Sequence, residues 1–314
     1  MSSWLRHSQS LRGIMRNAFI EELVAAAESR DNIALVVGDL GYGVVEPFAK
    51  RYPKRFFNAG VAEQNMMGMA AGLASEGFHV FAYSIANFPT FRCAEQIRND
   101  VAYHNLAVTI VAVGGGLAYG NLGYSHHAVQ DYALMRIMPN MLIAAPGDPM
   151  EVRACMRYLI NNPQPSYLRV GKAGEPCIHA GVPEISPGKW LNIGNGAQGD
   201  ATYLTTGATL DLVNQLVKNN LSLKSYQLHS MPLWGMSTKA SQSSQIKVFS
   251  NVITVEDHLI DGGFGGWMLE AVSAAPELLT RIKIKALDAR VCGMVAKQAT
   301  MNARGGLTQE LLCA

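Results

Sequence analysis

Apolar positions fall into two alternating rhythms along the chain. Residues 14–28 set Met15, Phe19, Leu23 and Ala26 on one helical stripe. The run Ile33-Ala34-Leu35-Val36-Val37 is short and uniformly apolar, which predicts a strand buried on both faces. The alternation continues, with strands expected over 78–83, 107–113, 141–145 and 166–170. Helices are expected over 63–75, 91–104 and 148–160. Apolar runs without in/out alternation suit a parallel sheet covered by helices on both sides. Between 171 and 199 the rhythm stops, and glycines and prolines such as Gly171, Gly174, Pro176, Pro183 and Pro187 predict an interdomain linker. Strands over 201–205, 223–228, 251–255 and 282–287 then alternate with helices over 208–218 and 264–274. The expected fold class is α/β, with two doubly wound domains. An arm over 1–12 precedes a mostly parallel domain over 13–172, a linker over 173–199 and a smaller domain over 200–314. Ligands in such folds sit at the carboxyl ends of strands.

Composition narrows the partners. With 314 residues, 49% of them hydrophobic and 16% charged, the chain has material for two cores. A net charge of +2, with acids and bases interspersed, leaves no basic face for nucleic acid. Cys93, Cys155, Cys177, Cys292 and Cys313 show no CxxC spacing, as expected for reduced thiols in a cytoplasmic protein. No apolar run is long enough to span a membrane. The stretch before Glu21 is Ser/Arg-rich and acid-free, which predicts a disordered or partner-wrapping arm rather than a targeting signal.

The most informative stretch is Asn58 to Ala74, which is rich in small residues and methionines and holds one ionisable group, Glu63. Such a helix is expected to be buried on most sides. A carboxyl inside it should then be neutral or partnered, because a buried unpaired carboxylate is costly. Groups of this kind cluster at functional sites, although a first-turn Glu is also favoured by the helix dipole.

Gly60-Val61-Ala62-Glu63-Gln64-Asn65 resembles the pyrimidine-binding signature of transketolases, deoxyxylulose-phosphate synthases and the beta subunits of 2-oxo-acid dehydrogenases. The similarity runs from about Met15 to Glu270. It implies a thiamine-diphosphate pyrimidine-binding domain followed by a transketolase C-terminal-like domain. It also implies that Glu63 hydrogen-bonds the ring nitrogen of the cofactor's aminopyrimidine and so promotes loss of the thiazolium proton. The block Phe81 to Asn99 resembles the segment whose aromatic side chains hold that ring. Phe88 and Phe91 fall on those positions, and Ile85 falls where transketolases usually carry another Phe. Ser125-His126-His127 resembles the family's T-H-Q segment, which makes His126 the expected contact to substrate oxygens. His127 reads as an extra, solvated neighbour. Gly114-Gly115-Gly116 and Tyr119–Gly123 read as a flexible glycine-rich loop beside a substrate channel.

Several positions depart from the family. Where transketolases hold a sugar phosphate with Arg, Ser, His and Arg, this chain has Arg16, Gly43, Gly114 and Lys172. Arg16 and Lys172 remain as cations for an anionic group, with Arg169 as a candidate to compensate. Leu122 replaces an Asp that contacts an acceptor hydroxyl. The resemblance therefore implies ketol transfer to a non-standard sugar or aldehyde. The Gly-Asp-Gly segment that binds the diphosphate and Mg²⁺ in the family is missing. The metal ligands are thus expected from a separate diphosphate-binding subunit, with two of each chain assembled. The alternatives are a 2-oxo-acid dehydrogenase beta subunit and a non-catalytic scaffold. Val255 to Gly266, with His258, resembles the V-E-x-H-x-x-x-G-G segment of the family's C-terminal domain and reads as turn geometry and helix packing.

Overall fold

The computed structural model describes residues 14–194, 199, 201–220, 223 and 226–308. The arm expected over 1–12, Cys313 and part of the expected linker lie outside them. The strands are β1 (Ile33–Val37), β2 (Phe56–Asn58), β3 (His79–Ile85), β4 (Val108–Val113), β5 (Leu142–Ala144) and β6 (Ser166–Val170). They continue with β7 (Leu191–Asn192), β8 (Ala201–Thr205), β9 (Tyr226–Ser230), β10 (Leu233–Gly235), β11 (Asn251–Leu259) and β12 (Ile282–Leu287). The helices that frame the two sheets and the site include α1 (Met15–Ser29), α2 (Glu63–Ser75), α3 (Asp131–Arg136), α4 (Pro149–Asn161), α5 (Thr209–Asn219) and α6 (Phe264–Ala271).

Among the described residues, one sheet has seven strands in the order β10-β5-β6-β4-β3-β1-β2, and the other has five in the order β12-β11-β8-β9-β7. Both are α/β and mostly parallel, with antiparallel edge strands at β10 and β7. Those two edges and β2 were too short for periodicity to reveal. The strand expected over 223–228 runs instead over Tyr226–Ser230. The helix expected over 91–104 is irregular, with π-type bonds such as Tyr103 N–H to Arg98 O. Among the described residues no helix is long and apolar enough to cross a membrane.

Helices α1 and α4 cover one face of the first sheet and share its core with Phe19, Leu23, Phe81 and Leu168. Helix α2 covers the other face through Met66, Met67, Ala70 and Ala74. The core runs on between the sheets, because β10 follows β9 and crosses over to pair with β5. It brings Trp234 against Tyr132 at 5.3 Å and against Trp267 at 5.3 Å.

The segment after β6 is held to the start of α4. Asp148 caps that helix by accepting from Glu151 N–H at 2.7 Å, and its other oxygen accepts from the N–H groups of Ile178 and His179 at 2.8 and 2.9 Å. Glu151 is wholly buried. It accepts from Gly147 N–H at 2.6 Å and from the Ser230 hydroxyl at 3.0 Å, with His179 Nε2 3.7 Å away. Burial pushes the Glu151 carboxyl up to about 7. Burial alone would lower His179, but its bond to Asp148 and the charge of Glu151 hold it above its usual value. An acid raised in the folded state loses stability as pH climbs from its unfolded value near 4.5 toward about 7. A raised histidine contributes below 6.5 and loses that contribution as pH rises through its folded value, so both groups act in one direction. Asp148, held below 3.8, acts only at lower pH. The Glu151 contribution alone is therefore expected to fall by up to ~3 kcal/mol between pH 4.5 and pH 7, while buried His79 and His229, lowered to about 4, act in the opposite direction. The melting midpoint of wild type relative to Glu151→Gln should therefore fall between pH 5 and pH 8, and a difference that stays flat or climbs over this window contradicts the assignment.

Candidate active site

Helix α2 starts on Glu63 itself. Ala62 before it offers no side-chain cap, so the carboxyl stands at the positive end of the helix. The Glu63 side chain is 3% exposed, and Oε2 lies 2.9 Å from Arg92 Nη1. Of the two expected states, neutral or partnered, the chain adopts the partnered one. Glu63 packs near Gly38, just past β1, a glycine that also neighbours Ser84 of β3. It thus sits over the carboxyl ends of adjacent parallel strands, where such sheets bind ligands. The Ser84 hydroxyl there is buried without a hydrogen-bond partner. The helix is buried on one side only, contrary to the expectation of burial on most sides. Gln64, Asn65, Gly68 and Gly72 face outward, and Val61 just before the helix is 74% exposed.

Arg92 joins two adjoining cavities. One is lined by Val61, Glu63, Gln64 and Asn65, the other by Asn87, Phe88, Phe91, Tyr124 and Ser125. Its guanidinium carbon lies 4.7 Å from the Phe88 ring centroid. Phe91 is 47% exposed and Phe88 is half-buried, so neither is sealed in the core. Ile85 ends β3, also half-buried.

The histidine loop is tied to this wall. Asn87 Nδ2 donates to the carbonyls of Ser125 at 3.2 Å and His127 at 2.8 Å. His126 meets Phe88 edge to face at 5.2 Å, with Nδ1 3.0 Å from Ser125 Oγ. Burial, then the nearby His127 and Arg92, lower its pKa. The ring is therefore neutral near physiological pH and can accept or donate a proton. His127 is not solvated as expected: it is 1% exposed, with Nε2 3.2 Å from Gly120 O. The glycine-rich segment is packed rather than open. A Cβ on Gly115 would lie 2.2 Å from Arg169 Nε, and one on Gly116 would lie 2.1 Å from Asp257 Oδ2.

On the substrate side, the Arg16 charge lies beside the Tyr83 hydroxyl, whose pKa burial pushes up to about 12. Lys172 Nζ lies 4.6 Å from the Tyr119 ring centroid. Gly43 is exposed, and Leu122 is 50% exposed. Arg169 is committed elsewhere. Its side chain is 3% exposed, pairs in charge with Asp131 at 2.8 Å and Asp257 at 2.5 Å, and donates to Ala128 O at 2.7 Å. With its charge satisfied by two buried carboxylates, it ties the two sheets together and does not stand in for a substrate cation. Arg92, Asp131 and Asp257 escaped sequence reasoning. Arg92 did carry a signal, as the one Lys or Arg between Arg55 and Arg98.

Residues 14–174 match the model of the transketolase pyrimidine-binding domain. The chain belongs to the transketolase family. A transketolase-family relative in Methanocaldococcus jannaschii, provisionally assigned as a transketolase C-terminal section, is 37% identical over 83% of this chain and 82% of its own length. One of the subunits of an apulose-4-phosphate transketolase from Phocaeicola vulgatus is 33% identical over 83% of this chain and 84% of its own. A split-gene transketolase solved as an inactive beta4 tetramer superposes with a TM-score of 0.81 at 28% identity, covering 95% of each chain.

Proposed function

We propose that this chain is the pyrimidine-side half of a thiamine-diphosphate-dependent transketolase that moves a two-carbon ketol unit from a ketose to an aldehyde. The observation that carries the reading is the Glu63 carboxyl, shielded from solvent yet opening on a cavity beside the Phe88 face. A flat aminopyrimidine suits that pair, with Phe88 and Phe91 against the ring and Ile85 at its edge. Arg92 now makes both contacts, a hydrogen bond to Glu63 and a stack over Phe88, so it must turn aside for the ring. Thiamine diphosphate, when bound, supplies the electron sink for carbon–carbon cleavage. Glu63 holds a proton at the ring nitrogen and is the catalytic acid of the site. His126, neutral and anchored through Asn87, donates to or accepts from the oxygens of the reacting carbons. Arg16 and Lys172 orient an anionic end group.

The diphosphate and Mg²⁺ are assigned to a separate polypeptide, in an assembly of two copies of each chain. The small, uncharged outer face of α2 beside Glu63 supports burial against such a partner. Glycines at 43 and 114 and leucine at 122, with a relative named for apulose 4-phosphate, support a non-standard acceptor. Free Cys93, Cys155, Cys177 and Cys292 support a cytoplasmic setting. The reading is tested by co-purifying the chain with a companion diphosphate-binding subunit, thiamine diphosphate and Mg²⁺, then screening ketose–aldehyde pairs. Two-carbon transfer is the expected result. Acyl transfer to a lipoyl domain, or full activity on ribose 5-phosphate as acceptor, counts against the assignment or its acceptor class respectively.

A further inference from the structure

Gly114 follows β4 with a φ of +77°. A Cβ on it would lie 2.1 Å from Cε2 of Tyr119. The phenol ring therefore fills the space that a side chain at 114 would need. The same ring is met by Lys172 Nζ at 4.6 Å from its centroid and by the His126 ring at 6.2 Å with a tilt of 57°. Arg16 is close enough for its charge to oppose the burial that raises Tyr119 and Tyr83. Tyr119 is half-buried, and its one ring thus meets both the histidine and the lysine assigned to the substrate, with the Arg16 charge nearby.

A rigid ring in that place limits length. A sugar held by its reacting carbons near His126 must carry its far end past Tyr119 to reach Arg16 and Lys172. Steric exclusion of this kind discriminates against longer ligands without needing any added attraction for shorter ones. We propose that Tyr119 sets the chain length of the sugar this site accepts. It admits a short sugar whose distal anion lies beside Lys172 and Arg16, and it rejects longer chains by occupying the space over Gly114. The inference rests on the assignment of His126, Arg16 and Lys172 given above.

The test compares five-, six- and seven-carbon ketose phosphates on the complex with its companion subunit, for wild type, Tyr119→Ala and Tyr119→Phe. Tyr119→Ala should raise kcat/KM for the longest sugar relative to the shortest by about tenfold or more, chiefly through KM. Tyr119→Phe keeps the ring and should keep the wild-type ranking. An unchanged ranking in Tyr119→Ala, or an equal shift in Tyr119→Phe, overturns the inference. Saturation-transfer NMR with the same ketose phosphates gives a ranking that needs no turnover. A complex that binds and ranks these sugars without transferring carbon therefore sinks the proposed reaction while still deciding the role of Tyr119.

Discussion

Glu63→Ala in the assembled enzyme is expected to cut turnover by at least about a hundredfold, the usual scale for loss of a positioned acid. Glu63→Gln should fall nearly as far, because an amide fills the same space but cannot exchange a carboxyl proton with the ring nitrogen. The fold should survive both changes. Glu63 opens α2 without capping it, and its bonded partner, Arg92, is 55% exposed and can return to water. A melting midpoint close to wild type, together with collapsed turnover, separates chemistry from structure. Undiminished turnover in Glu63→Ala would instead support a scaffolding role next to a catalytic paralogue.

Arg169→Met should have the largest effect on stability. It would leave Asp131 and Asp257, at 0% and 3% exposure, without their shared cation, and removing one partner of a buried ion network costs about 3–5 kcal/mol. For a chain of this size that corresponds to a drop on the order of 10 °C in melting midpoint. Arg169→Lys should not rescue it. One ammonium cannot replace a guanidinium that reaches Asp131, Asp257, the Tyr132 hydroxyl at 3.0 Å and the Ala128 carbonyl at once. Adding Asp131→Asn and Asp257→Asn to Arg169→Met should recover part of the loss, because no unpaired charge then remains buried. A single variant that melts within a degree or two of wild type contradicts the structural role.

What could be read from the sequence followed from periodicity and from local motif. Uniform apolar runs marked the buried parallel strands, and the span of α2 was legible because its methionines and alanines recur at helical spacing. The position of Glu63 in its first turn was legible for the same reason. What escaped depends on long-range pairing. Leu233-Trp234-Gly235 is too short to show a period, and only the three-dimensional path makes it an edge of the first sheet. The partner of Glu63 lies 29 residues downstream, and those of Arg169 lie 38 and 88 residues away in the chain. No spacing rule links such residues, so Arg169 read as a spare cation near Lys172. The glycine run was ambiguous in a different way. Gly115 and Gly116 are needed because Arg169 and Asp257 press on the backbone, which from sequence looks the same as a flexible loop.

The most direct test of the central claim is a crystal structure of the complex with the companion subunit, thiamine diphosphate and Mg²⁺. The account predicts the Glu63 carboxyl within about 2.6–3.2 Å of an aminopyrimidine nitrogen, Phe88 against the ring and Arg92 turned away. A bound cofactor lying elsewhere, with Arg92 still paired to Glu63, would contradict it.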